Sequence, residues 1–227
     1  MAQPLKLLFD EAFVSALAHA VHAQAPAFST RRFTRDVFGK PWESLELKAR
    51  MRHITRALGA HLPGAYRDQL EVLQAVAPSF RGFTAMVFPD FVEAFGADDP
   101  DRSLPALEQF TQYSSSEFAI RPFIVRDEAQ TMARMRGWTS HASEHVRRLA
   151  SEGCRPRLPW AMALPRFKAD PSPVLPILEL LKADPSEYVR RSVANNLNDI
   201  ARDHPRVTLQ VARRWYGTSG VTDALLK

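Results

Sequence analysis

Three short stretches hold the side chains best suited to chemistry. "SEYVRRSVANNLND" (186–199) ends in Asp199, the one anion on a helix face with Arg191, Asn195, Asn198 and Arg202. "QYSSSEFAIRPFI" (112–124) places Glu117 after three serines, at an expected helix start. "GCRPRLPWAMALP" (153–165) sets Trp160 in a proline-bracketed turn beside Arg155 and Arg157. Carboxylates act as bases or as partners of positive charge, and an indole face attracts cations. Each stretch also has a plainer use. Glu117 and the amides could cap or brace helices, and a tryptophan commonly fills a core. Residue type alone leaves both open. Other chemistry is poorly supplied. The seven histidines are scattered, and the single cysteine, Cys154, excludes an internal disulfide and a cysteine-based zinc site. There is no Walker loop and no helix-hairpin-helix signature. No metal and no cofactor are expected.

The elements that must position these residues read almost entirely as helix. In 189–200, Val189, Val193, Leu197 and Ile200 make one apolar stripe of 3.6-residue period. Residues 9–23, 43–60, 65–76 and 173–183 carry similar stripes. Alternating β-branched patterns are missing, and proline punctuates the chain. "DPSE" (184–187) predicts Asp184 as a helix N-cap, and "DPSP" (170–173) predicts the same for Asp170.

Ser-Glu-aromatic-Val-Arg-Arg occurs twice, at Ser143 and again 43 residues later at Ser186. That interval matches helical repeats of the HEAT and armadillo kind, whose helix pairs bury their apolar faces by stacking. We expect an all-α right-handed solenoid of HEAT-like repeats with a concave basic groove. It would form a single domain over 1–227, with its clearest repeats at about 104–205. Val146 and Val189 would be core, and the Arg pairs 147/148 and 190/191 would project outward. Between 134 and 168 eight basic residues face two acidic ones. This cluster is either a solvated face or a phosphate-binding one.

Taken together, "SSEFAIRPFI", "HASEHVRRLASEGCRPRLPWA" and "DPSPVLPILELLKADPSEYVRRSVANNLNDIARDHP" closely resemble the AlkC branch of the AlkC/AlkD family, bacterial DNA alkylation-repair glycosylases built from HEAT-like repeats. The resemblance is specific from about Ser114 to Pro205. It implies a monofunctional glycosylase that cleaves the N-glycosidic bond of cationic alkylated bases, such as N3-methyladenine, in double-stranded DNA without base flipping. It implies that Glu117, Trp160 and Asp199 contact the lesion nucleotide and that Arg148 binds backbone beside it. Arg191, Arg155, Arg157 and Asn195 complete the expected DNA-binding set. Some AlkC proteins carry a C-terminal immunoglobulin-like domain, and a short form without it is expected here.

The implied chemistry suits these residues. Alkylation at N3 makes the base a cationic leaving group, and bond breaking moves positive charge onto the deoxyribose. Carboxylates beside the sugar stabilise that charge, and no proton donor to the base is needed. No lysine adjoins the three residues in sequence, which argues against a Schiff-base lyase. Asp199→Asn keeps size and is expected to leave folding nearly unchanged. The alternative is a non-catalytic helical-repeat module that binds nucleic acid or protein. The net charge of +5 is compatible with DNA. A monomer, a cytoplasmic location and no membrane association are expected.

Overall fold

The computed structural model describes residues 4–226. Helix accounts for 69 % of the chain, and no strand occurs among the described residues. Backbone contacts gather into two compact units, Met1–Ala119 and Ile120–Lys227.

The first unit holds α1 (Glu11–Gln24), α2 (Thr30–Val37), α3 (Leu47–His61), α4 (Tyr66–Val76), α5 (Val87–Phe95) and α6 (Pro100–Phe110). Its core mixes aliphatic and aromatic side chains: Phe9, Phe28, Phe33, Phe88, Phe91 and Phe110 are fully buried, and α3 packs along α5. Start signals follow the sequence chemistry. Asp10, Ser29 and Asp99 accept the N–H of the third residue onward, capping α1, α2 and α6.

The second unit holds α7 (Arg121–Arg126), α8 (Glu128–Trp138), α9 (Glu144–Glu152), α10 (Pro165–Ala169), α11 (Leu175–Leu181), α12 (Glu187–Asp203), α13 (Pro205–Trp215) and α14 (Gly220–Leu225). The pairs α8/α9 and α11/α12 are the two copies of the repeat, and α12 packs on α9. Val146 and Val189 are both fully buried, as the repeat predicts.

Three local expectations change. Ser186, not Asp184, occupies the N-cap of α12. Asp184 is buried, accepts the Ser186 N–H at 2.8 Å and takes a two-pronged hydrogen bond from Arg147 at 2.6 and 3.0 Å. Asp170 likewise accepts the Ser172 N–H at 2.9 Å, making a turn before α11 rather than its cap. Glu117 stands in a turn, and α7 begins four residues later.

The arginine pairs divide their work. Arg147 holds Asp184 and the carbonyls of His141 and Ala142, while Arg190 holds the carbonyls of Asp184 and Pro185. These equivalent residues fasten the loop that precedes their own helix. Only the second member of each pair is turned another way.

Candidate active site

In the second unit the site is built on one edge of α12. Ser192, Asn196, Asp199 and Asp203 recur at helical spacing beside the apolar stripe. Each reaches back to a partner 40 to 46 residues earlier. Ser192 Oγ donates to Glu152 Oε2 at 2.6 Å, and Asn196 Nδ2 donates to the Ser151 carbonyl at 2.8 Å. Asp199 accepts from Arg155 Nε at 2.9 Å, Arg155 Nη2 at 3.3 Å and the Arg157 N–H at 3.3 Å. Asp203 accepts from Arg157 Nη2 at 2.7 Å and Nε at 3.1 Å. Asn196 is the buried member of the amide trio; Asn195 and Asn198 are exposed.

Asp199 therefore does not lie on the exposed polar face where the helical wheel put it. It is 5 % exposed and faces the previous repeat. Arg155 is also buried and completes a triad with Glu152 Oε1 at 2.7 Å. Burial opposes the charge on Arg155, yet the hydrogen bond to Asp199 and the two carboxylates outweigh it and raise its pKa. The Arg157 hydrogen bond holds Asp203 below the ordinary carboxylate value of 3.8.

This pairing revises the basic cluster. Of the eight cations between 134 and 168, Arg147, Arg148, Arg155, Arg157 and Arg166 each meet a carboxylate. Arg155 belongs to the fold's interior rather than to an open phosphate-binding face. Arg148 lies with its guanidinium 4.7 Å from the centroid of the Tyr188 ring, and Arg191 is exposed and paired with Glu187 at 2.7 Å.

Trp160 takes the opposite position. It is 65 % exposed, whereas Trp42, Trp138 and Trp215 are buried. Its backbone has φ 64, and it alone among the described non-glycine residues is left-handed. The Ala161 N–H bonds to the Leu158 carbonyl at 3.3 Å. Leu158-Pro159-Trp160-Ala161 is thus a turn with proline second and a positive φ third, the sequence logic of a type II turn. Glycine is the usual third residue. A bulky residue there is an outlier costing about 1–3 kcal/mol, retained where surrounding structure enforces it.

What surrounds this turn includes a residue that spacing did not single out. Arg121 is fully buried and donates from Nε to the Met162 carbonyl at 2.7 Å. Its Nη1 donates to the carbonyls of Gly153 and Arg155, each at 2.9 Å. The legible signal was an arginine inside the apolar run "AIRPFIV". Gly153 is required by close approach: a Cβ there would meet Ile120 Cγ2 at 2.6 Å and the Leu149 carbonyl at 3.0 Å.

Glu117, in the first unit, is half-buried and accepts from Ser115 Oγ at 2.7 Å. Ser116 is buried and donates to the Leu107 carbonyl at 2.8 Å, tying the serine run to α6. Lys48 Nζ lies 4.9 Å from the centroid of the Phe118 ring, so folding does bring a lysine beside Glu117's neighbour. Among the described residues no group of three or more His, Cys, Asp or Glu could hold a metal ion. Among the described residues no helix is long and apolar enough to cross a membrane.

The fold and these residues define a helical-repeat protein with an indole presented from a braced turn beside a carboxylate–guanidinium network. The alkylpurine DNA glycosylase AlkC of Pseudomonas fluorescens, solved bound to DNA containing an abasic site analog, matches all of this chain with 40 % identity and a TM-score of 0.94. The uncharacterized protein YhaZ of Bacillus subtilis (strain 168) is 49 % identical over 223 residues, 98 % of this chain. Over its whole length the chain is similar to part of AlkC. It spans about three-fifths of the length of these relatives, 63 % and 62 % respectively. The smu.31 protein of Streptococcus mutans UA159, at 18 % identity and a TM-score of 0.50 over 93 % of this chain and 96 % of its own, shares the fold alone. No family model matches the chain.

Proposed function

We propose that this chain is a DNA glycosylase that hydrolyses the N-glycosidic bond of cationic alkylated bases, N3-methyladenine foremost, in duplex DNA and without base flipping. The observation that carries this reading is the whole-chain likeness, at 40 % identity and a TM-score of 0.94, to an alkylpurine glycosylase solved on DNA with an abasic site analog. Glu117, Trp160 and Asp199 would face the lesion nucleotide. As the bond to the cationic base breaks, the deoxyribose gains positive charge. A carboxylate fixed by Arg155 cannot swing away, and preorganised charge of this kind costs nothing to align during reaction. The exposed indole would lie against the sugar and add about 0.5–2 kcal/mol of cation–π attraction. Arg148, Arg191 and Asn195 would contact the DNA backbone. Water is the acceptor, so no cofactor is used.

One observation favours a second reading. Asp199 is fully engaged by Arg155 and the Arg157 N–H, which would suit a brace between repeats in a non-catalytic DNA-binding module. Chromatography of bases released from methylated duplex DNA separates the two. The glycosylase reading expects free N3-methyladenine above the spontaneous background. None released, with DNA still bound, would establish the binding module. Borohydride added during turnover tests the monofunctional assignment: no covalent protein–DNA adduct is expected, and one that disappears with Lys48→Ala would reassign the enzyme as a lyase.

A further inference from the structure

We propose that Arg121 is the positioning residue for Trp160, setting where the indole is presented to substrate. This inference rests on the reading that Trp160 touches the lesion nucleotide. The loop from Gly153 to Met162 leaves α9, passes Arg155 and Arg157, and turns back at Trp160. Arg121 meets it from α7. One guanidinium accepts no bonds and donates to three carbonyls, those of Gly153 and Arg155 on the outgoing limb and Met162 on the returning limb. The two limbs are also joined by the Leu164 N–H to the Pro156 carbonyl at 3.1 Å. The limbs are thereby tied across the base of the turn, and buried Leu158 and Leu164 anchor its sides.

Pro159 favours the type II turn, but tryptophan itself does not favour the left-handed position that this turn demands. Trp160 at φ 64 is held by what surrounds the turn rather than by its own preference. A buried arginine is an unusual choice for a purely packing role, because its charge must be matched by hydrogen bonds in a water-poor site. Its planar fork is, however, the side chain that reaches several carbonyls from fixed directions at once. The same guanidinium touches the carbonyl of Arg155, whose side chain holds Asp199. Arg121 thus sets the backbone of both the indole and the carboxylate's partner.

The test separates positioning from mere support. Trp160→Gly and Trp160→Ala both delete the indole, but only glycine tolerates φ 64 without strain. With Arg121 present, the glycine variant should melt about 2–4 °C above the alanine variant. In an Arg121→Gln background this gap should collapse, because the turn no longer enforces the conformation. With Trp160 retained, Arg121→Gln should also alter acrylamide quenching of tryptophan emission, since Trp160 dominates the accessible indole surface. Arg121→Gln should also slow single-turnover excision about 10²-fold at unchanged DNA affinity, and should add little to Trp160→Ala. If Arg121→Gln fails to fold, Arg121→Lys, which keeps the charge but not the fork, should show a reduced gap. A full gap without the arginine fork overturns the proposal. If the gap collapses while wild-type protein releases no base, Arg121 still positions the turn and the glycosylase reading alone is lost.

Discussion

At the scale of single residues, Asp199 carries the most consequence. As a catalytic carboxylate it would lose about 10²–10³ in single-turnover rate on Asp199→Asn. Its pairing adds a cost that the sequence did not foresee. Replacing it leaves the buried Arg155 with Glu152 as its remaining carboxylate. Breaking a buried pair costs about 3–5 kcal/mol, toward the lower end when one partner stays. Asp199→Asn should therefore lose both activity and thermal stability, and Asp203→Asn, at the same edge but outside the proposed chemistry, should keep its rate. A D199N protein that excises at the wild-type rate would remove Asp199 from the chemistry. Cys154 offers a second residue-scale test. Burial pushes its thiol to about 12, so almost no thiolate exists at neutral pH. Iodoacetamide should leave native protein unlabelled and modify it readily in denaturant; labelling of the native state at a free-thiol rate would contradict its burial.

At the scale of elements, the turn joining α10 to α11 has a charge-dependent clasp. Asp170 accepts the Ser172 N–H at 2.9 Å and an Arg166 hydrogen bond at 3.1 Å. The Ser172 N–H first, and then the remaining Ser172 and Arg166 contacts, lower its pKa from 3.8 to about 2. The folded value lies below the unfolded one. The ionised group therefore stabilises the fold fully above about pH 4, and that contribution disappears as pH falls through about 2. Urea unfolding of wild type and Asp170→Ala should show a constant stability gap at neutral pH that narrows on acidification below about pH 4. A gap that widens in acid would reverse the assigned sign.

At the scale of the whole molecule, self-neutralisation governs how the protein meets a polyanion. In the densest basic stretch Arg147, Arg148, Arg155, Arg157 and Arg166 already pair with carboxylates. Binding to undamaged duplex should be weak, sequence-independent and salt-dependent through its more exposed arginines. Arg191→Ala should flatten the log–log salt dependence by about one unit. Arg147→Ala should instead lower thermal stability with little change in slope, because Arg147 is committed to Asp184. An unchanged slope for Arg191→Ala would remove it from the phosphate contacts.

The sequence by itself determined the helices, the repeat and the residue types on offer. A 3.6-residue stripe is a property of local spacing, so Val189, Val193, Leu197 and Ile200 announced α12 without any partner in view. Doubling of the Ser-Glu-aromatic-Val-Arg-Arg phrase announced a second, equivalent helix because each copy must bury the same valine. The proline bracket around Trp160 announced a turn. Tertiary structure decided which polar groups face each other. Ser192, Asn196, Asp199 and Asp203 look like solvent-facing residues on an isolated helix, yet their partners lie some forty residues away, where no local pattern reaches. The same holds for Arg121. Its three carbonyl partners are backbone atoms, which every residue carries and which therefore leave no mark in a sequence.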